Sequence, residues 1–453
     1  MKLYRNLIIL FVAIAVLVGA FIGVSMIVPE SEENKTEEPL VSEAISVFEV
    51  DSSAVTKVLV KTSDEEYSVT KSGDSLILSN GTGLNISKSK LQSLIYSCSS
   101  VSASKIMTEK AGDAYKFGFD SAESSVTVET EDGTSKTILI GDATLDNKSG
   151  YIKLADSDTV YLKSMYGIDN LTPEYKEFVD KTLLSIDTGD LSLLKNVYIS
   201  KQGNTAVKLE YINTATQAEE KYAWKMTTPV YADVNGQVLS EHVLTHLENL
   251  TAVDIAEAHV KDRNIYEFNN PYAVFSIEYD SKTTKLIFGK KYNDYRFVMI
   301  DGYDSVYTIK DSSASFLDVP YQNLMSQLIH VEYIDQVSKV EIAGPDTDII
   351  MEINDDEYKI NGKSIEKKSF SKAYQAVIGI SLDSVDLNAT SSGNYDAAIK
   401  YTKNDGSVVT VGFISVSERN YLAVVDGKGN SITAKKNFNE AVDFVVNTYK
   451  KAK

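Results

Sequence analysis

The chain has 453 residues, 43% of them hydrophobic, and a formal charge of −19 from 64 acidic against 45 basic side chains. That acidity excludes nucleic acid and anionic lipid surfaces as partners, because both would repel it. The single cysteine, Cys98, excludes an intrachain disulfide framework, and the length exceeds what one core supports, pointing to about three domains.

Residues 1–6 precede an apolar run, LIILFVAIAVLVGAFIGVSMIV, that fills residues 7–28 without a charge. At about 1.5 Å per residue this run would cross a hydrocarbon layer of roughly 30 Å, so it reads as an N-terminal transmembrane helix. Lys2 and Arg5 stand before it and Glu30, Glu32 and Glu33 behind it. The positive-inside rule then leaves the N-terminus cytoplasmic and the bulk of the chain extracellular, anchored to the cell membrane by one pass. A cleaved signal ending near Ala20 or Ser25 is the alternative reading. Residues 29–45 include PESEENKTEEP, a charged stretch without apolar residues, and form an acidic linker.

Three tandem units follow, over residues 46–188, 189–333 and a shortened 334–453. Each opens on an alternating strand, in which Val58, Val197 and Val340 are equivalents 139 and 143 residues apart. An amphipathic helix comes next: Leu91, Leu94 and Ile95 mark the first, Val243, Leu244, Leu247 and Leu250 the second, and Phe370, Tyr374 and Val377 the third. A hairpin then runs to Gly141, Gly289 or Gly412, with Asp-Gly at 132–133 and 405–406 supplying two of the turns. Two more strands recur beyond each glycine. The expected fold class is α+β: one transmembrane helix, then three units of mainly antiparallel sheet with a covering helix.

Reactive motifs are sparse. His242 and His246 have a zinc-compatible spacing, but EHVLTH lacks the glutamate of the metalloprotease motif, and a polar helix face accounts for both. Asp233-Val-Asn235-Gly236 fails the register of a calcium loop and reads as a turn before the helix. Cys98 lies in an apolar helical stretch and reads as an inert core thiol, while His259 and His330 stand alone as structural or surface histidines. The expectation is therefore no catalytic, metal or cofactor residue. Trp224, Pro229, Tyr151, Tyr161 and Tyr307 are the candidates for an interaction or structural role, either as core aromatics or as a ligand-stacking face.

The second unit carries Trp224 and Pro229 in AWKMTTP, a helix from Ser240, Ala252-Val253, Tyr266, Pro271 and Gly289. With these it resembles the bacterial family catalogued as domain of unknown function 4340. The first unit resembles it through Phe117-Gly118-Phe119, Gly141, Tyr151 and Val160-Tyr161, but lacks the Trp-to-Pro element. That family is similar in outline to auxiliary proteins of ABC-type export and gliding systems. The resemblance implies a non-enzymatic accessory or scaffold component beside an ABC-type permease. A cell-wall glycan or peptide binding module is the alternative, and a hydrolase with dispersed carboxylates the third reading.

Overall fold

The computed structural model describes residues 44–452 except 111, 190–192, 213–223, 346, 356 and 391–393. Among these the chain is β-rich, with five sheets, and every pairing between named strands is antiparallel. The expected fold class needs correction. The transmembrane helix placed at 7–28 lies outside the described residues, and no described helix is long and apolar enough to cross a membrane. The longest, Lys435–Lys451, is amphipathic: it buries Phe438, Ala441 and Val445 and carries lysines at both ends. Its apolar surface is a stripe fitted to a sheet, where a lipid-facing helix would be apolar all round.

Three large sheets share one strand order, the first lacking the outermost strand of the other two. In the second, Leu194–Lys201 pairs on one side with Val207–Tyr211, which leads to Trp224–Thr228 and Ala232–Asp233 at the edge. On its other side lies Ala273–Tyr279, followed by Lys282–Tyr292, Tyr295–Ile300 and Val306–Lys310, and Asp254–Glu257 closes the far edge. The same path centres on Val55–Lys61 beside Ser124–Thr130 in the first sheet and on Val337–Gly344 beside Ala397–Lys403 in the third. Alternation explains the layering. Val55, Val58 and Val60 are buried while Lys57 faces outward to meet Glu129 at 3.4 Å. The outward faces are polar, as the Lys339–Glu341 pair at 3.2 Å illustrates on the third sheet.

Helix Lys88–Ser99 covers the first sheet through Leu91, Leu94, Ile95 and Cys98, and helix Lys367–Ile378 covers the third through Phe370, Ala373, Tyr374 and Val377. Each such aliphatic side chain contributes roughly 1.5–3 kcal/mol on burial. The helix of the second unit departs from expectation. Gly236–His242 is α-helical, but Val243 leaves helical geometry, Leu244–Leu247 continues as a 3₁₀ turn, and Leu250 belongs to a short strand. The break lets Val243, Leu244 and Leu247 all reach the core. The C-terminal helix Lys435–Lys451, which the three-unit pattern does not anticipate, packs beside Lys367–Ile378 on the third sheet, and Lys363 Nζ donates to the Ala452 carbonyl at 2.5 Å.

The units are stitched by backbone. Ile45–Glu49 pairs with Ser100–Ala103 just after the first helix. The connector Thr182–Leu184 pairs with Leu250–Thr251 after the second helix, and Leu328 bridges Ser381 after the third. Each connector also pairs back onto its own unit, Val179 with Ile86 and Met325 with Val234. Leu183, Leu184 and Ile186 consequently belong to the second sheet's core.

Candidate functional site

The two junctions contain corresponding clefts. At the first, Asp180 N–H donates to the Asn85 carbonyl at 2.7 Å and Ala252 N–H to the Lys181 carbonyl at 2.7 Å. At the second, Ser326 N–H donates to the Asp233 carbonyl at 2.8 Å and Leu382 N–H to the Gln327 carbonyl at 2.8 Å. Asp301 and Asp426 hold matching turns, their N–H groups donating to the carbonyls of Lys285 and Thr410 at 2.8 Å each. The first cleft, about 410 Å³, is lined by Asn85, Asp180, Leu184, Tyr279, Asp301 and Tyr303. The second, about 270 Å³, is lined by Lys225, Asp233, His330, Glu332, Lys403 and Asp426 among others.

The framework is shared, but the side chains are not. Counting from Asp180 and from Ser326, the fourth residue is Leu184 in one connector and His330 in the other, and the sixth is Ile186 against Glu332. Leu184 and Ile186 are buried in a hydrophobic core. His330 and Glu332 are also buried, within an ionic cluster.

Local structure places each member of that cluster. Trp224 and Met226 point into the core of the second sheet, so Lys225 between them emerges on the other face. Antiparallel register sets Lys225 opposite Asp233, and their side chains form an ion pair. The Leu328–Ser381 bridge and the Ile329 N–H to Ile380 carbonyl bond at 3.0 Å hold the connector extended. His330 and Glu332 therefore lie two residues apart on the same side. His330 Nε2 is 2.9 Å from Glu332 Oε1 and His330 Nδ1 is 3.4 Å from Asp233 Oδ2. Lys403, the last residue of Ala397–Lys403, reaches Glu332 Oε2 at 3.1 Å. Tyr374 donates its hydroxyl to the Glu332 carbonyl at 3.0 Å, and the Tyr401 ring meets the imidazole edge-on at 5.9 Å.

The charges balance with the imidazole neutral, since Lys225 faces Asp233 and Lys403 faces Glu332. Burial pushes His330 below the usual histidine range and outweighs the Glu332 hydrogen bond. Burial also works against the Glu332 carboxylate, but the bond from His330 and the Lys403 ammonium hold it below its ordinary value. An ionised Glu332 only accepts, so the imidazole proton sits on Nε2. Burial pushes Lys225 down to about 8. With the imidazole neutral, Nδ1 has no hydrogen-bond partner among the described residues.

The candidates named from the sequence do not converge here or elsewhere. Trp224 is 1% exposed and packs edge-on against Tyr211 at 5.3 Å, beneath the second sheet. Pro229 follows a cis peptide bond in the turn beyond Trp224–Thr228. Tyr307 is fully buried near the opposite end of that sheet. Tyr151 and Tyr161 are half-buried in the first sheet, Tyr151 against Phe117 at 4.7 Å. Among the described residues no group of His, Cys, Asp or Glu is arranged to hold a metal. His242 is exposed, and His246 approaches Ser315 Oγ at 3.3 Å. His330, solitary in the sequence, is instead the centre of the cluster. Its detectable signal is the alternation His330-Val-Glu332 in a connector whose counterpart is Leu184-Ser-Ile186.

The profile of a family described as a domain of unknown function, DUF4340, matches residues 77–271. This stretch runs from the edge strand Ser75–Leu78 through the first junction to the start of the second sheet's hairpin. No curated protein and no solved structure matches the chain.

Proposed function

We propose, for a chain whose residues 77–271 belong to the DUF4340 family, a non-enzymatic scaffold that acts outside the cytoplasm as an accessory component of an ABC-type export system. The supporting observation is the stitching of the units. Each connector pairs backward and forward, so consecutive sheets form one array that presents several polar sheet faces to a partner. An array built this way spans a large partner surface without ordering loops on binding, which keeps the entropic cost of docking low. The ionic cluster sits at a joint of this array.

Crosslinking in intact bacterial cells, followed by purification through the C-terminus and mass spectrometry, tests the reading. Co-recovery of an ABC-type permease with its ATPase is the expected result. Recovery of wall fragments alone overturns it.

The first cleft favours a second reading, a cell-wall glycan or peptide binding module. Tyr279 and Tyr303 with Asp180 and Asp301 offer the aromatic surface and acceptors that a sugar ring requires. Sedimentation of the purified protein with cell walls, lost on replacing Tyr303 with alanine, would establish that role. Absence of sedimentation removes it.

A further inference from the structure

We infer that the joint between the second and third sheets is an acid-sensitive hinge, because it buries a histidine where the first joint buries a leucine. Such a hinge would operate whatever the array docks to. The two junctions share the same backbone bonds and differ in their side chains. Opening the first exposes Leu184 and Ile186, whose burial does not depend on pH. The histidine that spans this joint, His259 with Nε2 2.9 Å from the Asn80 carbonyl, is already exposed to water. Opening the second releases His330 from a buried ionic cluster.

The groups facing His330 come from every element around it. Lys225 lies on Trp224–Thr228, Asp233 on Ala232–Asp233, Glu332 on the connector itself, and Tyr374 on helix Lys367–Ile378. Lys403 and Tyr401 lie on Ala397–Lys403, and Asp426 lies in the turn after Asn420–Val425. Two cations already balance Asp233 and Glu332 at short range. A proton taken up at Nδ1 would face Asp233 Oδ2 at 3.4 Å, but that carboxylate is already paired with Lys225, so the imidazolium adds a positive charge in a buried place between Lys225 and Lys403. In the open joint that charge is solvated, so acidification favours opening. The sign follows from the shifts: a histidine held below its free value near 6.5 contributes stability above that pH and loses it as pH falls. Glu332 is also held low, so it loses stability in the same direction at a lower pH.

Hydrogen exchange on the full chain at about pH 7.5 and about pH 5, corrected for intrinsic rates, is the test. Amides of 326–334 report the second joint and those of 179–187 the first. Protection of 326–334 is expected to fall severalfold on acidification, while 179–187 holds. His330→Gln, which retains a donor for Glu332, should abolish the fall. The paired change His330→Leu with Glu332→Ile, which installs the first junction's side chains, should abolish it too. An equal fall at both joints overturns the inference, as does a fall that persists in His330→Gln.

Discussion

The carbonyl oxygen of Tyr266 occupies the space that a Cβ on Gly289 would need, with the Phe268 ring against the same point. Gly141 stands in the same relation to the Phe117 carbonyl and the Phe119 ring, and Gly412 is crowded by the Tyr395 ring. In the second unit, Arg296 fixes the site by donating to the Gly289 carbonyl at 2.9 Å and pairing with Asp311 at 2.8 Å. Gly289→Ala is therefore expected to cost about 1–3 kcal/mol through overpacking. Gly344→Ala, whose added methyl would meet Phe438 at an ordinary 3.6 Å, should be tolerated. Urea midpoints of the two variants make the comparison.

Removing one partner of a buried ion pair leaves the other uncompensated. Glu332→Ala strands Lys403 and removes the acceptor for His330, and a loss of roughly 3–5 kcal/mol is expected at neutral pH. Restoring balance by adding Lys403→Met should recover part of that loss. Chemical denaturation of both variants at one pH reads the difference.

Cys98 is fully buried under the first sheet, and burial pushes its thiol up to about 12. Because the thiolate is the reactive form, the native chain should react with thiol reagents far more slowly than the urea-unfolded chain. Equal labelling rates in the two states would contradict the packing around helix Lys88–Ser99.

Trp224 is the only tryptophan and is 1% exposed. Its fluorescence should be blue-shifted and resist acrylamide quenching until the second sheet unfolds. Trp224→Ala should cost about 3–5 kcal/mol. Strong quenching in the native state, or protection by added glycan, would count against its place in the core.

Burial raises the Asp311 carboxyl, but hydrogen bonds from Lys291 and Arg296 prevail and hold it below the ordinary aspartate value. A depressed carboxylate contributes stability above its free value of about 3.9 and loses it as pH falls below that. Asp311→Asn should therefore lower the thermal midpoint at pH 7, with the gap to the parent chain closing in strong acid. Thermal melts across that range give the check.

Local periodicity determined what the sequence made legible. Alternation around Val58, Val197 and Val340 buries one face of each central strand, and three- and four-residue spacing marks the helices, because both patterns depend only on near neighbours. The recurring glycines were visible as landmarks, although the backbone oxygens and rings that demand them come from segments 17 to 24 residues earlier in the chain. Periodicity left Trp224 open between the core and a ligand-stacking face, and its burial under the second sheet places it in the core. The broken second helix escaped periodicity, since Val243, Leu244 and Leu247 satisfy a helical pattern whether or not Val243 keeps helical angles.

Only the tertiary structure decided the ionic joint. Lys225, Asp233, His330, Glu332 and Lys403 are scattered along the chain and follow no shared motif. They meet because a connector pairs with Asp233 on one side and Ile380 on the other. A charge's state depends on which charges and how little water surround it, and those neighbours are set by long-range strand pairing.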